Sequence, residues 1–343
     1  MRVAFLSYPM LFQRLGGLQV QVRETLASLV EVGIAAQLFD SNKEKLADFD
    51  IIHVFGAING NYRVVEAAKN ADRAVVISPI LHPFSKQQGR TVRFCDALIG
   101  RLTNWEFHTS YRQIRTALEK ADAVIALGEA ESCIITEGYL IDSGKVRIIP
   151  NGVARRFFDA DGSAFRRHSG IMSRFALQVA SVSPYKNQLT GIRALAGNGI
   201  QYVMIGGCAR EHRRYLDQCL SAENGKVYYA GAFSPDDPLL ASAYAAADVF
   251  VLPSRSEVMP LVVLEALAAG TPVVMTRHSS LKFEEARPRV IEVDPQDVNA
   301  IASAVREVLD ARPAKASCQS LVADYSWQMV AGKIKGIYEY LLD

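Results

Sequence analysis

Short apolar runs punctuate this chain, separated by longer stretches in which apolar residues return at helical spacing. In the first half the runs are Val3 to Leu6, Ala35 to Phe39, Ile51 to Val54, Ala74 to Ile77, Val124 to Ala126 and Val146 to Ile149. This alternation predicts parallel strands joined by crossover helices. The first crossover carries Leu18, Val22, Leu26 and Leu29 on one stripe and Gly33 at its end, the pattern of an amphipathic helix with a glycine stop. After the sixth run, Asn151-Gly152-Val153 leads into a charged segment of small residues, Ala154 to Arg174, which reads as a linker. The pattern then restarts with Leu177 to Ala180, Tyr202 to Ile205, Val227 to Tyr229, Val249 to Leu252, Val273 to Met275 and Val290 to Glu292. The fold class expected is α/β, with two doubly wound, Rossmann-like domains over 1–155 and 170–325 whose strand C-termini face a common cleft. A final amphipathic helix, 326–343, starts from a serine cap at Ser326.

Composition narrows the class of partner. A chain of 343 residues, 50% hydrophobic and 22% charged, suits two domains with a core each. The net charge of +2 lacks the excess of a general nucleic-acid binder. Cysteines at 95, 133, 208, 219 and 318 form no Cys-x-x-Cys pair, which argues against a zinc site or a disulfide framework and fits a reducing cytoplasm. The opening apolar residues meet Pro9 and Gln13-Arg14 too soon for a signal peptide, and no run reaches membrane-spanning length. A cytoplasmic protein is expected, with peripheral attachment to the inner face of the membrane left open.

Candidate chemistry concentrates between Ala247 and Met275. A buried strand (Val249 to Leu252) is followed by a loop, a helix opening near Pro260 and stopping at Gly270, and a second strand. Glu257 lies before that helix and Glu265 in its second turn, eight positions on and about 12 Å apart if both were helical. Between them the amides of Met259, Leu261 and Val262 point out of a helix N-terminus, where unpaired donors and the macrodipole favour an anion such as a diphosphate. Any doubly wound sheet contains strand-helix-strand units, and a lone helical glutamate is usually a solvated charge. The full segment is more specific. Its Glu-x7-Glu pair, the preceding Ala-Asp-Val-Phe-Val-Leu-Pro-Ser and the following Glu-Ala-Leu-Ala-Ala-Gly-Thr-Pro-Val-Val resemble the donor-site signature of retaining GT-B glycosyltransferases of glycosyltransferase family 4.

The resemblance extends over most of residues 1 to 343 and is diffuse before residue 120. It implies the GT-B arrangement, with the C-terminal helix crossing back onto the N-terminal, acceptor-side domain. It implies transfer of a sugar from a nucleoside diphosphate sugar, a UDP-sugar by preference, to a saccharide or lipid-linked acceptor hydroxyl, without a catalytic metal and with no other cofactor. By the same resemblance Glu265 would meet the ribose, Glu257 the donor sugar, and the amides at 259, 261 and 262 the diphosphate. Lys186, in Val-Ser-Pro-Tyr-Lys-Asn-Gln, stands where relatives place a lysine against the phosphates, and a point positive charge there can offset charge growing on the leaving group. Gly16-Gly17, otherwise a plain turn into a helix, matches the glycine loop that closes over the diphosphate. His82, in Ile-Leu-His-Pro-Phe, corresponds to a cleft histidine near the reacting sugar; a structural histidine beside a proline turn is the alternative. The chain departs from the pattern at Ala180-Ser181, where relatives have Gly-Arg, and at Val258 and Pro260, where glycines are common.

Residues 86 to 115 interleave Lys86, Arg90, Arg93, Arg101, Arg112 and Arg115 with Phe94, Leu98, Trp105, Phe107 and Tyr111. A solvated helix with an aromatic stripe facing the core is the expected arrangement; an anionic-lipid or acceptor patch is the alternative. Two rivals to transfer stay open: a sugar-nucleotide 2-epimerase, which shares fold and donor, and a non-catalytic donor-binding subunit, suggested by the missing arginine and glycines.

Overall fold

A computed structural model describes residues 1–13, 16–82, 86–102, 109–197, 199–222 and 226–343, and the side chains among them except at 86–90, 100 and 102. The chain divides into two compact units, Met1–Asn151 with Trp327–Asp343, and Gly152–Ser326.

The first unit is built on six parallel strands, β1 (Arg2–Leu6), β2 (Ala35–Leu38), β3 (Ile51–Phe55), β4 (Ala74–Ser78), β5 (Ala123–Ala126) and β6 (Val146–Ile148), in the order β2-β1-β3-β4-β5-β6. Every residue of β3 is buried, as a parallel strand covered on both faces requires. The helix Gly17–Glu31 buries Val22 and Leu29, with Leu18 and Leu26 at the margin, and Gly33 follows it in a left-handed conformation at φ 87°. The final helix, Trp327–Leu342, packs against it. Tyr338 fastens that final helix to the sheet: its hydroxyl is 2.6 Å from His53 Nδ1, and His53 Nε2 lies 2.9 Å from Ser78 Oγ. Burial pushes the His53 pKa down to about 3, so the ring is neutral there.

The second unit carries β7 (Phe175–Val179), β8 (Gln201–Ile205), β9 (Val227–Tyr229), β10 (Val249–Leu252), β11 (Val273–Thr276) and β12 (Val290–Val293), again all parallel, in the order β12-β11-β10-β7-β8-β9. Both units are thus doubly wound α/β sheets. Chain order reverses between β7 and β10 in the second sheet and between β1 and β3 in the first. Such switch points are where open parallel sheets bind ligands, outside the strand C-termini.

Two expectations need correction. Residues 154–174 are not a linker but the opening of the second unit. They contain the helices Arg155–Phe158 and Ser163–Ser169, the second of which packs on the helix Pro238–Ala246. Phe157 and Phe165 are fully buried, and the charges around them masked two core anchors. The aromatic stripe expected within 86–115 does not all face a core. Tyr111 is buried, but Phe94 is 71% and Leu98 49% exposed. The helix Lys86–Leu102 turns Asp96 inward instead, where it accepts a hydrogen bond from Thr109 and lies 3.9 Å from Arg112. Trp105 and Phe107 lie outside the described residues, as do the side chains of Lys86 and Arg90. Among the described residues no helix is long and apolar enough to cross a membrane.

Candidate active site

The switch point of the second sheet brings the loop after β7 beside the loop after β10. The first loop carries Lys186 and the second Glu257, and their side chains form an ion pair of 2.6 Å. These two groups are mostly shielded, with 24% of the lysine side chain and 10% of the glutamate exposed. Backbone and side-chain bonds hold both loops. Arg255 N donates to Tyr185 O at 3.0 Å, and the Tyr185 hydroxyl donates to Ser256 O at 2.9 Å. Gln178, buried on β7, donates to Lys186 O at 2.9 Å and accepts from the Tyr202 hydroxyl at 2.6 Å. Gly191 lets the helix after Lys186 approach that tyrosine, since a Cβ there would lie 2.4 Å from the hydroxyl. Asn187 adopts a left-handed conformation at φ 60°, which asparagine tolerates, and its amide donates to Pro253 O and Pro295 O at 3.0 and 2.7 Å. The lysine loop is thereby tied to the ends of β10 and β12.

Glu257 is fixed from its other side as well. Its amide donates to His278 O at 2.8 Å, and Ser280 N donates to Val258 O at 2.9 Å, joining the loops after β10 and β11. Three serines in these loops, Ser254, Ser256 and Ser280, have buried hydroxyl oxygens with no hydrogen-bond partner among the described residues. Such groups cost about 1–3 kcal/mol each when left unpaired. The helix Leu261–Ala268 follows, with Pro260 at its N-cap and Gly270 (φ 87°) just past its end. Leu261 and Val262 hold its first two positions, whose N–H groups a helix cannot pair internally. Met259 and Leu261 bury their side chains, so these positions offer backbone rather than side chain.

Glu265 lies one turn further on and is partly buried. Tyr244 donates its hydroxyl hydrogen to Glu265 Oε2 at 2.7 Å. Tyr244 is fully buried, between Phe157 and Phe250, and burial, with Glu265 nearby, pushes its pKa well above the usual tyrosine range. It therefore remains a protonated donor. Tyr244, Gln178 and Asn187 escape a reading of the sequence, because each acts on a partner brought close only by the fold. Arg255, two residues before Glu257, is an exposed cation on the same loop.

The remaining candidates sit in the first unit. A Cβ on Gly16 or Gly17 would meet nothing within 4 Å, so packing among the described residues does not demand glycine at either position. Gly16 is the extended N-cap of the first helix, and Gly17 is its first residue. His82 is exposed after β4. The loop before it, with Ile80 at φ 56°, is gripped by Glu131, whose carboxylate accepts from Leu81 N at 2.6 Å and from Leu127 N at 2.7 Å. Burial raises the Glu131 carboxyl to about 7 despite these backbone donors. Among the described residues no three His, Cys, Asp or Glu side chains gather in a way that could hold a metal ion.

Residues 174–311 match the family described as glycosyl transferases group 1. The D-inositol 3-phosphate glycosyltransferase of Corynebacterium urealyticum is 26% identical in an alignment covering 95% of this chain and 91% of the relative. The glycogen synthase of Mycobacterium tuberculosis is 29% identical over 70% of this chain and 60% of its own length. Among solved structures, the sucrose-phosphate synthase of Thermosynechococcus elongatus superposes with a TM-score of 0.78 at 20% identity, covering 99% of both chains. Anabaena HepE in complex with UDP gives 0.73 at 16% identity, over 99% of this chain and all of the other. This chain is a glycosyltransferase with the GT-B fold. The matched span of this glycosyltransferase holds Lys186, Glu257 and Glu265 together, the residues with the densest network of polar contacts described above.

Proposed function

We propose that the chain is a retaining enzyme of glycosyltransferase family 4 that moves a sugar from a nucleoside diphosphate sugar, by preference a UDP-sugar, to a hydroxyl of a saccharide or lipid-linked acceptor. The observation that carries this reading is the placement of Lys186, Glu257 and the N-terminus of the helix Leu261–Ala268 at the switch point of one sheet. The amides of Leu261 and Val262 and the Lys186 ammonium would face the diphosphate, and the unpaired serine hydroxyls nearby would find partners in a polyhydroxylated ligand. Glu265, oriented by Tyr244, would accept from the ribose, while Glu257 would accept from hydroxyls of the donor sugar. UDP bound to a structural neighbour supports the choice of base.

In this mechanism the bond from the anomeric carbon to the β-phosphate oxygen breaks as the acceptor oxygen attacks from the same face. The departing phosphate takes the acceptor proton, so no carboxylate nucleophile is needed. Lys186 stabilises the charge that grows on the leaving diphosphate. His82 and Gly16-Gly17 are assigned to the sugar and to the diphosphate, respectively, by resemblance to the family.

Product analysis tests the reading. Incubation with UDP-glucose and a panel of sugar and lipid-linked acceptors should release UDP only when an acceptor is present, with the anomeric configuration retained and activity surviving EDTA. Epimerised nucleotide sugar without acceptor would establish the epimerase, and donor binding without either product would establish a binding subunit. The exposed Phe94, Leu98 and Val92 on the helix that carries Arg101 favour a second role for the first unit, contact with an anionic lipid surface. Liposomes containing anionic lipid should retain the protein at low salt and release it at high salt.

A further inference from the structure

Taking the donor-site reading above as its basis, we infer that Glu257 is also a specificity residue that makes the site reject the free nucleoside diphosphate in favour of the intact sugar donor. The carboxylate is not waiting beside the phosphate site for a sugar alone. It already engages Lys186, the cation assigned to the diphosphate, at 2.6 Å.

The backbone on both sides of the pair is held, which keeps the two side chains within reach of each other. The Glu257 amide is held by His278 O, the residue before it is held by the Tyr185 hydroxyl, and Tyr185 directly precedes Lys186. The lysine backbone is gripped in turn by Gln178. A diphosphate that reaches Lys186 therefore meets the carboxylate already paired with it, in a shielded site where like charges are weakly screened.

Intact donor and released product meet that carboxylate differently. In the donor each phosphate carries one negative charge, and the β-phosphate is esterified to a sugar whose hydroxyls can donate to Glu257. In the product the sugar is gone and the terminal phosphate gains a second ionisation near pH 6. One more negative charge then faces Glu257, with no hydroxyl to offset it. The same side chain thus favours entry of the donor and exit of the product.

Calorimetric titration with UDP and with UDP-glucose tests this on wild type, Glu257→Gln and Lys186→Ala. Glu257→Gln should bind free UDP about three- to tenfold more tightly than wild type, the scale expected when a partly shielded ion pair is released. It should bind UDP-glucose no more tightly, so the preference for donor over product collapses. If Glu257→Gln binds UDP as wild type does, or more weakly, while Lys186→Ala weakens it, the discrimination role is overturned and the donor-site reading stands. If Lys186→Ala leaves UDP affinity unchanged, the lysine does not meet the diphosphate, and both the reading and this inference fall. Should the glutamine variant not fold, Glu257→Ala, which also removes the charge, gives the same comparison.

Discussion

The two halves of this molecule repeat one architecture but hold their candidate residues in different ways. In the second unit Lys186, Glu257 and Glu265 are each fixed by side-chain partners, and the loops that carry the first two are stitched to one another. In the first unit Gly16 and Gly17 have open space at the Cβ position, and His82 is exposed after a loop whose Leu81 amide donates to Glu131. A doubly wound sheet alone does not make a preorganised site; buried second partners such as Tyr244 and Gln178 do, and among the candidate residues only those of the second unit are described with such partners.

The largest expected effect tests whether the second unit includes residues 152–174. Phe165→Ala should lower unfolding free energy by about 3–5 kcal/mol in a denaturant titration, the usual cost of truncating a buried phenylalanine. A loss under 1 kcal/mol would return the segment to the status of a linker. Next in size is Lys186→Ala, which should cut turnover at saturating donor at least tenfold, about 1.4 kcal/mol of barrier. Unchanged turnover would remove the main functional contrast between the halves.

Tyr244→Phe keeps the buried ring but removes the donor to Glu265. UDP affinity should fall about fivefold, equivalent to roughly 1 kcal/mol for one hydrogen bond to a carboxylate, while affinity for pyrophosphate stays level. A lowered melting temperature with unchanged UDP affinity would reduce Tyr244 to a packing role.

The smallest effect concerns how the final helix is anchored in the first unit. Burial holds His53 near pKa 3, whereas the unfolded residue titrates near 6.5. The unfolded chain binds more protons between these values, so this contribution to stability is complete above about pH 6.5 and is lost as pH falls towards 3. The stability advantage of wild type over His53→Asn should therefore shrink on the order of 0.5–1 kcal/mol between pH 7 and pH 6. A pH-independent difference would contradict a neutral, buried His53.

The strands were legible in the sequence because parallel strands covered on both faces are continuous apolar runs, and β10 falls on Val249 to Leu252 as the pattern predicts. The Pro260 opening and Gly270 stop of the Glu265 helix were legible for the same local reason. Pairing of Lys186 with Glu257 was not, because they are 71 residues apart and meet only when β7 and β10 become neighbours, a fact of sheet order. Tyr244 was hidden likewise, as one more apolar position in a buried helix. The segment around Phe165 misled because Arg166 and Arg167 give it the composition of a linker, while one face carries the core contact.

Under the proposed function the second unit holds a nucleoside diphosphate sugar with Glu265 at the ribose. The decisive measurement is calorimetry on Glu265→Ala with UDP, UDP-glucose and pyrophosphate as ligands. UDP and UDP-glucose should lose affinity by the same factor, since both contain the ribose, and pyrophosphate should bind as it does to wild type. Full wild-type affinity of Glu265→Ala for UDP would contradict the account.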